Sequence, residues 1–316
     1  MQVNIKKNVT GFNSALDRFL FGTKALEQLG VYRFILCATL FYIACFRQVN
    51  IDFLGVDSMI PREGALNIFP DFYRPYIQWF FWPDAWVSQV HLLLILLLGL
   101  ATVGLTSRPL LLLTWVIHQG ILNRNYSMLF GADTIGGLFL FYLSFTNCTS
   151  YFSLKNVFFK KKYETTVENT ANHNISLSSV FFRLMQIQLC IIYMYTGFEK
   201  LKGTTWWDGT ALWTVFANPQ FSQFDLKFLS RVPIFFAIGT FLSILFEVYF
   251  PAMMMNKNYR KYWLAAGIVF HLGIGILLDL MTFSIVMTSA YVLFLQSNTV
   301  REAINSLLAR FKMARR

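Results

Sequence analysis

Charged residues are nearly absent from long stretches of this 316-residue chain, and that scarcity sets the solvent in which it folds. Asp, Glu, Lys and Arg make up 14% of the residues, against roughly 25% in an ordinary soluble domain. The deficit lies in long apolar runs, so the bilayer is the expected surroundings. Eight runs read as helices, at about 31–46, 87–106, 109–122, 134–151, 180–199, 233–255, 262–278 and 281–297. The last two are nearly continuous and are split at Asp279, because two short spans fit the hydrocarbon thickness better than one. The fold expected is all-α, a polytopic integral membrane helical bundle of about eight transmembrane helices. The 34 Phe and 8 Trp suit lipid-facing surface and interfacial belts.

Lysine and arginine test the count and orient it. With eight spans, 19 of the 27 basic residues fall on the side shared by the N- and C-termini. The other side holds eight basic and ten acidic residues, among them Arg47, Arg124 and Lys200. Both termini are therefore expected in the cytoplasm, with the chain in the cell's inner (plasma) membrane. This distribution accounts for the net charge of +11, and no nucleic acid is expected as a partner. The four cysteines have neither CxxC nor metal-ligand spacing, and no metal is expected.

Three segments follow: an interfacial stretch at 1–30, a transmembrane domain at 31–297 and a basic cytoplasmic tail at 298–316. The first 29 residues carry charges throughout and lack the pattern of a cleavable signal peptide. Residues 152–178 read as a flexible cytoplasmic loop. The outer segment 47–86, with Trp79, Trp82 and Trp86, reads as a cap at headgroup level.

Polar residues at membrane depth are costly and informative. The densest group lies at the outer end of the fifth helix: Tyr193, Tyr195, Gly197, Glu199, Lys200, Lys202, Trp206, Trp207 and Asp208. A lysine there can serve as a base if desolvation makes it partly neutral, or the lysines can simply snorkel and anchor a helix end. A second group, Arg124, Asn125, Tyr126 and Asp133, links helices three and four. Arg124 could bind an anion, or pair with Asp133 and cap the turn. Glu247 and His271 lie mid-helix on sequence neighbours and are expected to meet, as a proton route or as interhelical glue. His118 is a weaker intramembrane polar candidate. Hydrolase, zincin and nucleotide-binding motifs are missing.

The stretch QLCIIYMYTGFEKLKGTTWWDG, Gln188–Gly209, resembles the signature of the horizontally transferred transmembrane (HTTM) domain shared by vitamin K-dependent γ-carboxylases and bacterial relatives. The matching pieces are Ile192-Tyr193, Gly197, Lys200-Leu201, Trp206 and Gly209. Leu122–Asp133 and the Glu247, Pro251, His271 and Phe283–Ser284 positions resemble later and linking parts of the same domain. In form the chain is most similar to the sporulation-delaying protein B type, whose members help mature a secreted antimicrobial peptide. The resemblance implies that Lys200 is the base toward a reduced, vitamin K-like quinone. It also implies that the outer face modifies a secreted peptide or protein, and it allows for a small accessory maturation protein. Arg124, Asn125, Tyr126, Asp133, Tyr193, Tyr195, Trp206, Trp207 and Asp208 would line the substrate or quinone pocket. Glu199 stands where the animal motif has a second lysine, and Tyr126 lies nearest the place of its histidine. A non-catalytic receptor, scaffold or immunity-type protein for a peptide is the alternative, with a small-solute transporter built on Glu247 and His271 third.

Overall fold

The computed structural model describes residues 16–17, 19–21, 25–47, 61–124, 129–218 and 231–313, with backbone alone for 157–176, 307–308 and 311–313. Among these residues the chain is all helical, without strands. The principal helices are α1 (Leu26–Arg47), α2 (Val87–Val103), α3 (Arg108–Arg124), α4 (Gly131–Ser144), α5 (Leu154–Leu201), α6 (Pro233–Met255), α7 (Lys257–Leu277), α8 (Met281–Ser289) and α9 (Ser297–Met313). Each of the eight apolar runs lies largely on one of α1 to α8, or on the 3-10 turn Ala290–Phe294 that prolongs α8.

Among the described residues, four helical stretches are long and apolar enough to cross a membrane: Leu26–Arg47, Arg74–Val103, Leu177–Leu201 and Pro233–Met255. A fifth candidate, Met281–Phe294 with Ser297–Ser306, is bent by 119°. Helix α6 shows why lipid suits these surfaces. Its exposed side chains Ile234, Ile238, Phe241, Leu242, Leu245 and Tyr249 recur every three to four residues, an apolar stripe left uncovered by its own unit. Its polar residues Thr240, Ser243 and Glu247 are buried. That is inverted relative to a helix on a water-soluble protein.

The chain divides into two compact units. The first comprises residues 1–185 and 295–316, the second Gln186–Phe294, so the boundary falls within α5. In the first unit α1 packs along α2, α4 and α9, and α3 lies against α2 and α4. In the second, α6 packs on α7 and α7 on α8. Asp279, at φ 56°, and Leu280 form the reversal between α7 and α8, where the sequence was split.

Two sequence expectations change. Residues 154–178 are not a loop: the backbone runs as one 48-residue helix from Leu154 to Leu201. The polar composition of 154–178 suggested a loop, yet Lys, Glu, Asn and Thr are all compatible with a solvated helix, and residues 154–178 hold no proline or glycine. Helix α4 ends at Ser144, earlier than the apolar run, because a turn at Phe145–Ser150 follows. The expected N-terminal interfacial segment lies mostly outside the described residues. In the outer segment, residues 48–60 are also outside them. The remainder forms short helices at Arg62–Asn67 and Arg74–Ile77 and 3-10 turns at Gln78–Phe80 and Asp84–Trp86. A small core of Ala65, Leu66 and Phe81 holds this piece together, and the Trp82 indole rests on Gly120 of α3. Trp79 and Trp86 remain exposed.

One buried cation organises an end of the first unit. Arg33, fully buried on α1, donates to the carbonyls of Ala101 and Thr102 at the end of α2 and of Cys148 and Phe152 in the α4–α5 turn. Helix α2 ends there in a Schellman motif, with Gly104 at φ 81° and the Leu105 amide reaching back to Leu100. A guanidinium suits this place because orphan C-terminal carbonyls carry negative partial charge. Replacing Arg33 with Met strips several buried acceptors of their donor and should lower stability by about 3 kcal/mol or more. Arg33→Lys, which keeps the charge but not the forked geometry, should fall between. Thermal unfolding midpoints of the detergent-purified proteins check this order.

Candidate functional site

Glycine sets the geometry of the second unit. Tyr193, Thr196, Gly197 and Lys200 recur at the spacing that places them on one face of α5. A Cβ on Gly197 would meet the Val248 amide nitrogen at 2.9 Å and the Glu247 Cβ at 3.2 Å, so only glycine permits this approach of α6. One turn further along α5, Lys200 Nζ meets Glu247 Oε2 at 2.7 Å. Glu247 is 7% exposed and Lys200 21%. Helix α5 stops at Leu201, and the extended backbone of Gly203 turns the chain so that Trp206 lies with its ring 5.2 Å from the lysine ammonium.

Below this pair in the same unit is a buried polar chain. The Tyr193 hydroxyl stands 2.6 Å from both His271 Nε2 and the Tyr291 hydroxyl, and Ser284 Oγ donates to the His271 carbonyl at 2.6 Å. Aromatic rings enclose it: Tyr193 stacks on Phe250 at 4.1 Å, and Phe246 meets it edge-on at 5.5 Å. A hydroxyl between two partners donates to one and accepts from the other, so the chain can carry a proton in either direction.

The expected Glu247–His271 meeting is therefore replaced by two separate pairs, Glu247 with Lys200 and His271 with Tyr193. Glu199, one residue before Lys200, binds Lys202 Nζ at 2.6 Å. That hydrogen bond and charge raise the Lys202 ammonium above its ordinary pKa, so Lys202 stays protonated. Tyr195 is exposed and lies five residues before Lys200, about 140° round the helix, away from the Glu247 face. Trp207 is exposed, its indole donating to the Leu201 carbonyl at 2.7 Å. Asp208 closes a local turn, accepting from the amide and hydroxyl of Thr210. Gly209 follows at φ 77°, against Ala237.

The remaining candidates belong to the first unit, where the ion pairs also differ from expectation. Asp133, at the N-terminus of α4, bonds Arg47 at the C-terminus of α1 at 2.6 Å, and Arg124, at the C-terminus of α3, pairs with Asp84. Each charge sits at the helix end whose dipole favours it. Asn125 and Tyr126 lie outside the described residues. His118 is buried on α3 against Gly137, with no partner for Nδ1 among the described residues. No cluster of described His, Cys, Asp or Glu could hold a metal.

Sequence reasoning passed over Tyr291, Arg47 and Asp84. Tyr291 could have been found as the one hydroxyl-bearing aromatic in the run 281–297, and Arg47 and Asp84 as charges beside apolar runs.

The model of the HTTM domain matches residues 25–298. The chain belongs to the HTTM family. It is also 27% identical over 137 residues to sporulation-delaying protein SdpB of Bacillus subtilis (strain 168), covering 41% of this chain and 42% of that protein. The chain thus aligns with less than half the length of that relative. No solved structure matches it. Within this HTTM chain, Lys200, Glu247, Tyr193 and His271 all fall in the matched span.

The Lys200–Glu247 contact makes an asymmetric prediction. Lys200→Met leaves a buried carboxylate unpaired and should cost about 3 kcal/mol. Glu247→Gln should cost less, because the lysine can extend toward the exposed end of its helix. Unfolding midpoints of the two variants in the same detergent should fall in that order.

Proposed function

We propose that this HTTM membrane protein modifies or matures a secreted peptide or protein at the extracytoplasmic face, with Lys200 as the base. The observation that carries the reading is the 2.7 Å contact between Lys200 and Glu247, on the stretch that resembles the family signature. The proposed arrangement has about eight transmembrane helices with both termini cytoplasmic, in the plasma membrane. The charge pattern of the first unit supports it. One end carries the neutralised pairs Arg47–Asp133 and Arg124–Asp84, whereas the other carries Arg33, Arg108, Lys155 and Arg301, with Glu27 paired to Arg301.

A base must be able to give up its own proton first. At 2.7 Å, the proton on Lys200 Nζ can pass to Glu247 Oε2, leaving a neutral amine beside a neutral acid. Apolar surroundings narrow the difference between the charged and neutral pairs. Trp206 covers the ammonium on one side and limits its access to water. The amine then has one lone pair free to take a proton from a weak acid placed against it. Tyr193, His271 and Tyr291 form a second proton-holding chain within the same unit.

A reduced quinone suits these residues, since Trp206 offers flat apolar surface next to the Lys200 amine. Bound there, it would supply the oxygen-dependent chemistry that yields a base strong enough to remove a proton from a glutamate side chain before carbon dioxide adds. The name of the matched SdpB concerns sporulation delay, and a small accessory protein for maturation belongs to the same proposal.

The second reading is a non-catalytic receptor, scaffold or immunity-type protein for a peptide. The same ion pair favours it, because it can fasten α5 to α6 without any chemistry. The transporter reading loses the Glu247–His271 pair on which it stood.

Arginine at position 200 separates the two. It preserves the charge and the pairing with Glu247, and it does not lose its proton. Mass spectrometry of secreted peptides from cells carrying this chain should show a glutamate bearing one added carbon dioxide, reduced by about 10²-fold or more with Lys200→Arg. Full modification with Lys200→Arg would remove the base. A secreted fraction identical with and without the wild-type chain would leave the receptor reading.

A further inference from the structure

A polar cavity of about 290 Å³ opens at the Arg33 end of the first unit, remote from Lys200 in sequence and lying in the other unit. Ser107, Arg108, Thr146, Asn147, Thr149 and Lys155 line it, with the flank of Leu111 and Cys148. Two helices begin at its wall. Ser107 opens α3, its carbonyl accepting from Leu111 at 2.9 Å. The Ser153 hydroxyl caps α5 by accepting from the Lys155 amide at 3.1 Å. The positive ends of both helix dipoles thus border the same space as two cationic side chains.

Between Asp84 and Glu164 the sequence holds a single acidic residue, Asp133. Asp133 is bonded to Arg47 at the other end of α4, roughly 20 Å away by helical rise. Arg108 is fixed in place, with Nε donating to the Thr146 carbonyl at 3.3 Å and a terminal nitrogen to Asn147 Oδ1 at 2.8 Å. The Asn147 amide is in turn bonded to Ser178 Oγ at 3.0 Å. A preset guanidinium, an ammonium and two hydroxyls, those of Ser107 and Thr149, around one cavity are the donor set for a phosphate group.

The level of the cavity says where that phosphate comes from. Its walls begin within a few residues of Val103, the end of a stretch apolar enough to cross a membrane. Beside Lys155 in the chain, Phe152 and Leu154 are exposed, and Phe152 meets the exposed Phe34 edge-on at 5.2 Å. Apolar surface thus adjoins the cationic cavity, as a headgroup with attached acyl chains requires.

The geometry points to a binding site for the phosphate of an anionic phospholipid headgroup in this cavity. Free phosphate shares the charge and the acceptor oxygens but has no use for the adjoining apolar surface.

Native mass spectrometry of the full chain, released from detergent with phosphatidylglycerol or phosphatidylcholine, tests this. The wild type should retain phosphatidylglycerol in preference. Lys155→Gln should weaken that retention about fivefold, leaving phosphatidylcholine retention and the unfolding midpoint unchanged. Lys261→Gln, which removes the same charge from α7, should have no such effect. Arg108→Gln also loosens the 146–147 turn, so Lys155→Gln is the deciding variant. Equal retention of the two lipids by the wild type, or undiminished preference in Lys155→Gln, would overturn the site. Displacement of the lipid by millimolar inorganic phosphate, with phosphate alone raising the unfolding midpoint, would assign the cavity to a soluble phosphate and overturn the lipid assignment.

Discussion

A carboxylate in the middle of an apolar 23-residue helix must find a partner, and Glu247 finds it in Lys200. Leaving either charge alone in a low-dielectric setting costs several kcal/mol, so the pair fixes the register of α6 against the last turns of α5. Gly197, one turn below, is the steric half of the same constraint, since any side chain there would push α6 away and stretch the contact. Trp206 can lie over the ammonium only because Gly203 ends α5 where it does. The buried Tyr193–His271–Tyr291 chain meets the same demand with neutral groups, which need hydrogen bonds but no countercharge.

The first unit solves the problem at helix ends. Arg47 with Asp133 and Arg124 with Asp84 join opposite helix termini at one end, so pair attraction and dipoles act together. At the other end Arg33 serves backbone carbonyls, and Glu27 on the same helix pairs with Arg301.

Hydropathy revealed where helices form, because an apolar run in lipid has to satisfy its backbone internally. It marked α1 to α8 and the reversal at Asp279. It did not reveal which polar side chains meet. Glu247 and His271 lie on neighbouring antiparallel helices, yet contact depends on helix rotation and on the third element present, and here α5 inserts its own Lys200 and Tyr193 as partners. Arg124 and Asp133 are close in sequence for the same deceptive reason, and each is taken by a residue from another element. The polar stretch at 154–178 was misread because composition separates water from lipid better than it separates helix from loop. The family signature singled out Lys200 among several helix-end lysines, and the structure pairs Lys200 with the buried Glu247.

Exchanging the two partners, Lys200→Glu with Glu247→Lys, tests the central claim most directly. The account predicts that the exchanged protein reaches wild-type membrane levels, because the ion pair is restored, while the modified secreted product disappears, because the amine now projects from α6. Wild-type modification by the exchanged protein would show that the position of the amine does not matter, and would contradict the role given to Lys200.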